Sequence, residues 1–97
     1  SPEELAAFKH AKADPIIAAE SGQVFFGMHS AEEGRAAIAP AIGSSYAEDD
    51  LFCYIHTPGG EYAEIPAGMG GKLAELNVKP GSRVRRGDTL AWIEREQ

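Results

Sequence analysis

Gly81-Ser82-Arg83-Val84-Arg85-Arg86-Gly87-Asp88-Thr89-Leu90-Ala91-Trp92-Ile93-Glu94 decides the fold, because the chain carries a second version of it. A shift of 38 positions sets it against Gly43-Ser44-Ser45-Tyr46-Ala47-Glu48-Asp49-Asp50-Leu51-Phe52-Cys53-Tyr54-Ile55-His56, with Gly, Ser, Asp and Ile recurring in register and Tyr46/Val84 and Tyr54/Trp92 alike in type. Upstream, Ser21-Gly22-Gln23-Val24-Phe25 answers Gly70-Gly71-Lys72-Leu73-Ala74. Each copy reads as strand, turn glycine, buried hydrophobe, tight Gly-Asp or Asp-Asp turn, strand. Neither half buries its apolar face alone, so the repeat implies two half-barrels about a pseudo-twofold axis. The halves differ in length: Gly22 to Gly43 is 21 positions and Gly71 to Gly81 is 10, leaving eleven extra positions in the first half, taken up by an inserted loop at about residues 27–36. It contains Met28, His29, Glu32, Glu33 and Arg35. A loop of that length in a small domain is expected to be exposed and to make contacts.

Working outward, short apolar bursts separated by Gly, Pro, Ser or Asp run from Ile16-Ile17-Ala18 to Thr89-Leu90-Ala91-Trp92-Ile93, the pattern of a small all-β domain. The run from Lys72 to Val78 alternates imperfectly, but Pro80-Gly81 bounds it as a strand. Ser1-Pro2-Glu3-Glu4 places an N-cap, a first-turn proline and a capping-box glutamate ahead of Leu5 and Phe8. A short amphipathic helix or linker is therefore expected over residues 1–14, ended by Asp14-Pro15, with the β-domain over 15–97.

Ninety-seven residues, 43% hydrophobic and 25% charged, make one soluble domain with a thin core and little room for an enclosed catalytic cavity. The net charge of −6 repels phosphate backbones and anionic lipid, so nucleic acid and membrane surfaces are excluded as expected partners. With no apolar run near the roughly 18 residues that a spanning helix needs, no signal segment and a single cysteine, a cytoplasmic location is expected. His10, His29, His56 and Cys53 lack metal-ligand spacing, and Cys53 lies in an apolar strand, so neither a metal nor a nucleophile is expected. Asp50 and its counterpart Asp88 are expected to cap turns. Lys79, Arg83, Arg85 and Arg86 form a basic turn region, read as solvated or as a patch for an acidic partner.

Gly81-x-x-Val84-x-x-Gly87-Asp88-x-Leu90-x-x-Ile93-Glu94, preceded by Gly71-Lys72-Leu73 and weakly copied from Gly43 to Ile55, resembles the biotinyl/lipoyl domain family over about residues 15–95. Gly22-Gln23-Val24-Phe25-Phe26 ahead of the insertion is similar to the start of the thumb in biotin carboxyl carrier proteins of bacterial acetyl-CoA carboxylase. The resemblance implies a flattened barrel, a barrel-sandwich hybrid, of two four-stranded antiparallel sheets. It also implies an attachment lysine at the tip of the hairpin joining the halves. Here that hairpin reads Ile55-His56-Thr57-Pro58-Gly59-Gly60-Glu61-Tyr62, with Gly59 or Gly60 at the lysine's place and no lysine between Lys12 and Lys72.

No biotin or lipoate attachment is therefore expected, and no enzymatic activity. What the resemblance implies instead is an assembly or regulatory domain of a biotin-dependent carboxylase in fatty acid biosynthesis, or a terminal structural domain of a multidomain carboxylase, decarboxylase or transport adaptor. The expected partners are a biotin carboxylase or carboxyltransferase subunit, or other domains of the same chain, with homo-oligomerisation left open. The expected contact residues are Met28, His29, Glu32, Glu33 and Arg35 in the thumb-like loop and Pro58 and Glu61 at the hairpin.

Overall fold

The computed structural model describes residues 12–26 and 38–95. Eight strands follow in order: β1 (Ala13–Ile17), β2 (Gly22–Phe25), β3 (Ser45–Tyr46), β4 (Leu51–His56), β5 (Tyr62–Pro66), β6 (Gly71–Leu76), β7 (Arg83–Val84) and β8 (Thr89–Arg95). They form two antiparallel four-stranded sheets, ordered β1-β8-β6-β3 and β5-β4-β2-β7. Exchanging β1–β4 with β5–β8 converts one order into the other. The repeat is thus topological as well as sequential: β1 and β5, like β2 and β6, begin 49 positions apart, while β3 and β7, like β4 and β8, begin 38 apart.

The core obeys the same exchange. Ile16/Ile65, Ala18/Ala67, Val24/Leu73, Phe52/Leu90, Cys53/Ala91 and Ile55/Ile93 are all buried, and only Val78 and Val84 complete the buried hydrophobic set among the described residues. Strand alternation sends Ile16, Val24, Ile55, Ile65, Leu73 and Ile93 inward, and the consecutive buried pairs Phe52-Cys53 and Leu90-Ala91 depart from it, the first at a register shift of the β4–β5 ladder, so each half supplies the apolar surface that the other covers. Turn chemistry is duplicated too. The Asp50 carboxylate accepts from the Ala47 N–H at 2.8 Å, and the Asp88 carboxylate accepts from the Arg85 N–H at 2.8 Å. Gly43 N–H donates to Leu73 O, and Gly81 N–H to Val24 O, each at 2.7 Å, tying the loop before each short strand to the opposite half.

One expectation is corrected. The sheets do not close into a barrel: among the described residues, every ladder stays within one sheet, whose edges are β1 and β3 or β5 and β7. β1 and β5 both contribute to the lining of an open groove of about 370 Å³, with Pro15, Ile16, Ile17, Ile65, Pro66 and Met69 among its residues. Each of these edge strands carries a proline, which has no N–H to give to a further ladder, while β3 and β7 are two residues long. The groove occupies the seam where barrel closure would need hydrogen bonds.

Of the helix or linker expected over residues 1–14, residues 1–11 lie outside the described residues, while Ala13 and Asp14 belong to β1 and are not helical; the thumb-like loop expected at about residues 27–36 lies outside the described residues. The β-structure itself begins at Ala13, two positions before the Pro15 boundary. Asp14 pairs in register with Ile93, and its carboxylate meets Arg95 at 3.1 Å.

Candidate functional site

The hairpin joining the halves is built by β4 and β5, with His56 opposite Tyr62 as the last strand pair. Beyond it the chain turns tightly. Gly60 N–H donates to Thr57 O at 2.9 Å, Thr57 N–H to Glu61 O at 2.8 Å, and Glu61 N–H to the Thr57 hydroxyl oxygen at 3.2 Å. Pro58 fixes the first central position, and Gly60, at φ +85°, takes the left-handed conformation that closes such a five-residue connection. Pro58, Gly59, Gly60 and Glu61 are exposed. A Cβ at Gly59 would lie 3.8 Å from the Thr57 hydroxyl, an ordinary contact, so the turn leaves room for a side chain there and the sequence supplies none.

None of the described lysines is at this tip. Lys12 adjoins β1, Lys72 pairs with Ser45 and Glu94 in the first sheet, and Lys79 opens the turn before β7, where its N–H donates to the Ser82 hydroxyl oxygen. Of the residues expected to contact partners, the structure places Pro58 and Glu61 together at the exposed tip. Met28, His29, Glu32, Glu33 and Arg35 lie outside the described residues.

At the foot of the tip, register brings four strands into one row. Arg83 on β7 faces Gln23 on β2, Gln23 faces His56 on β4, and His56 faces Tyr62 on β5. The His56 and Tyr62 rings stack at 4.5 Å and 22°, with Phe25 tilted against them at 6.4 and 6.3 Å. Such spacings suit attraction between rings. The Gln23 amide donates to Gly81 O at 3.1 Å, anchoring the row to the turn before β7. A shallow cavity of about 270 Å³ opens here, lined by Gly22, Gln23, His56, Thr57, Pro58 and Arg83. Sequence reading missed this row. The usable signal was hairpin pairing: once the turn is set at Pro58-Gly59-Gly60, His56 and Tyr62 must face each other on the outer surface.

The remaining chemistry-bearing residues do not converge. Cys53 is fully buried in β4, and burial pushes its thiol up to about 12, which leaves it protonated and unreactive at neutral pH. Its side chain faces the core while His56, three positions on, belongs to the outer row. Among the described residues, no three His, Cys, Asp or Glu side chains gather at metal-binding distance. No helix there is long and apolar enough to cross a membrane. The basic residues Lys79, Arg83, Arg85 and Arg86 are all exposed, and the ion pair of Asp14 with Arg95 involves none of them.

No protein-family profile and no curated protein matches the chain. Among solved structures, a single-chain, multi-domain long-chain acyl-CoA carboxylase is similar over 89% of this chain, with a TM-score of 0.68 and 17% identity. The likeness spans 7% of that carboxylase's length. At this identity the comparison establishes a shared fold: two pseudo-symmetric four-stranded sheets of the kind found within that much longer carboxylase chain.

Proposed function

We propose that this chain is a non-biotinylated domain resembling a biotin carboxyl carrier, acting in assembly or regulation of a biotin-dependent carboxylase of the acetyl-CoA carboxylase type. On this reading it carries no covalent cofactor, performs no catalysis of its own and works in the cytoplasm on the path to fatty acids. The observation that carries the proposal is the hairpin tip, an exposed turn closed by three hydrogen bonds whose central residues Pro58-Gly59-Gly60 present no amine. A swinging-arm carrier needs an activated group held covalently at such a tip. The fold shared with part of an acyl-CoA carboxylase supports the carboxylase setting.

Intact-mass analysis after co-expression with biotin ligase and lipoate ligase tests the proposal. The unmodified mass is expected, and a biotinyl or lipoyl adduct on any lysine overturns it. The assembly role further requires binding to a biotin carboxylase or carboxyltransferase subunit. A second reading, a structural domain of a longer multidomain enzyme, is favoured by the small share of the similar carboxylase that the chain spans. Immunodetection of the native polypeptide separates the two by size.

A further inference from the structure

The internal repeat supplies a built-in control for surface function. Residues that the fold alone requires should recur in both halves, as the core pairs, turn aspartates and turn glycines do. The outer row at the hairpin end does not recur. Under the exchange, Arg83, Gln23, His56 and Tyr62 correspond to Ser45, Lys72, Glu94 and Ala13, which form the equivalent row across β3, β6, β8 and β1. One sheet therefore presents a small, polar, mixed-charge row of an ordinary solvated kind. The other presents stacked rings and an arginine at the end; Phe25, in the next row opposite Tyr54, adds a ring where the other sheet, through the register shift of β6, sets Glu75 opposite Trp92. Tyr62 leaves 41% of its surface in water.

Charge breaks the symmetry in the same direction. The turn after β7 reads Arg85-Arg86-Gly87-Asp88, while its counterpart after β3 reads Ala47-Glu48-Asp49-Asp50. Both turns share the aspartate cap, although Gly87 takes φ +96° where its counterpart Asp49 keeps a negative φ; a cap that accepts from a backbone N–H does not itself set the sign of charge on the turn's other side chains. The aromatic row thus ends, through Arg83, at the cationic corner of a chain whose net charge is −6. Aromatic side chains beside an arginine, with a cationic rim, form a surface able to anchor a protein by ring burial while the rim selects negative charge.

We propose that the outer face centred on Phe25, His56 and Tyr62, with Arg83 at its edge and Lys79, Arg85 and Arg86 as its rim, docks an acidic protein surface that inserts an apolar side chain beside a carboxylate. The carboxylase reading above supplies only the choice of probe. The probes are purified biotin carboxylase and carboxyltransferase subunits from the same source, titrated calorimetrically against the chain in 50 and 300 mM salt. Tyr62→Ala and Arg83→Glu are each expected to weaken binding roughly tenfold or more. Arg83→Glu should also flatten the salt dependence. Ser45→Glu and Lys72→Ala, at the equivalent row, should bind as the unmodified chain does, and urea unfolding confirms that all four variants fold. Binding unaltered by Tyr62→Ala and Arg83→Glu overturns the docking face while leaving the carboxylase reading intact. No binding of either subunit overturns the face as stated. Self-association of the chain that Tyr62→Ala abolishes, read by sedimentation, also overturns it, because the occupant would then be a second copy. A biotinyl adduct found together with the expected variant pattern refutes the non-carrier reading and leaves the face standing.

Discussion

Replacing Gly71 by alanine places a Cβ inside van der Waals contact of the Glu94 carbonyl oxygen, 2.9 Å from the Glu94 carbonyl carbon and 2.8 Å from Ile93 Cγ2. Two of these three atoms belong to the backbone of β8, to which β6 is laddered through Gly71/Arg95 and Lys72/Glu94. No rotamer change relieves a backbone contact, so β6 must shift away and weaken the end of its ladder. Overpacking of this kind costs about 1–3 kcal/mol. One or two weakened hydrogen bonds add about 1 kcal/mol each. The expected loss is therefore about 2–4 kcal/mol, or roughly 10–25 °C in Tm for a domain of this size. Two positions at the hairpin tip calibrate the scale. Gly60→Ala meets nothing within 4 Å but must hold φ near +85°, at about 1–2 kcal/mol. Gly59→Ala has neither clash nor positive φ and is expected to be neutral or slightly stabilising. Urea unfolding with a shared m-value ranks the three variants. Gly71→Ala within 0.5 kcal/mol of the unmodified chain, or Gly59→Ala as damaging as Gly71→Ala, would refute the close-approach reasoning. The repeat adds a condition: Gly22→Ala, whose Cβ meets the His56 carbonyl and Ile55 Cγ2 in the same way and whose φ of +156° disfavours a side chain, should cost at least as much as Gly71→Ala.

The two aspartate caps make a second symmetric pair. Asp50→Ala and Asp88→Ala are each expected to cost about 1 kcal/mol in urea unfolding, because each frees one turn N–H; a loss confined to one of them counts against equivalence of the turns. Cys53 should resist Ellman's reagent at pH 8 until the protein unfolds, and labelling of the native chain at the rate of a free thiol contradicts its burial. The folded thiol titrates near 12, above its ordinary value of 9.0, so its contribution to stability is complete below pH 9 and is lost between pH 9 and 12 as the unfolded chain ionises. Stability over that window should fall by up to about 1.4 kcal/mol per pH unit more steeply for the unmodified chain than for Cys53→Ala, and identical slopes would contradict the raised value.

The repeat was legible because local rules and the global fold agree in it. Glycines at Gly43 and Gly81, aspartates at Asp50 and Asp88, and inward hydrophobes such as Ile55 and Ile93 each answer to a short-range requirement met twice. The hairpin tip was equally readable, since Pro58-Gly59-Gly60 specifies its own turn. The binding row was not, because Gln23, His56, Tyr62 and Arg83 span 60 positions and meet only through the register of four strands. Taken one at a time they read as a lone histidine, a strand tyrosine and part of a solvated basic turn.

By itself, the sequence determined that the chain is all-β, that its two halves are variants of one unit, and that no lysine stands at the hairpin. Those properties depend on alternation, turn chemistry and residue identity, which are local. Only the tertiary structure decided that the two sheets stay open at β1 and β5, and that stacked rings and an arginine share one outer row while the equivalent row, Ser45, Lys72, Glu94 and Ala13, carries no ring. Edge pairing and outer-face neighbourhoods depend on which strands lie side by side and in what register, and hydrophobic periodicity fixes the inward face of a strand without naming its outward neighbours.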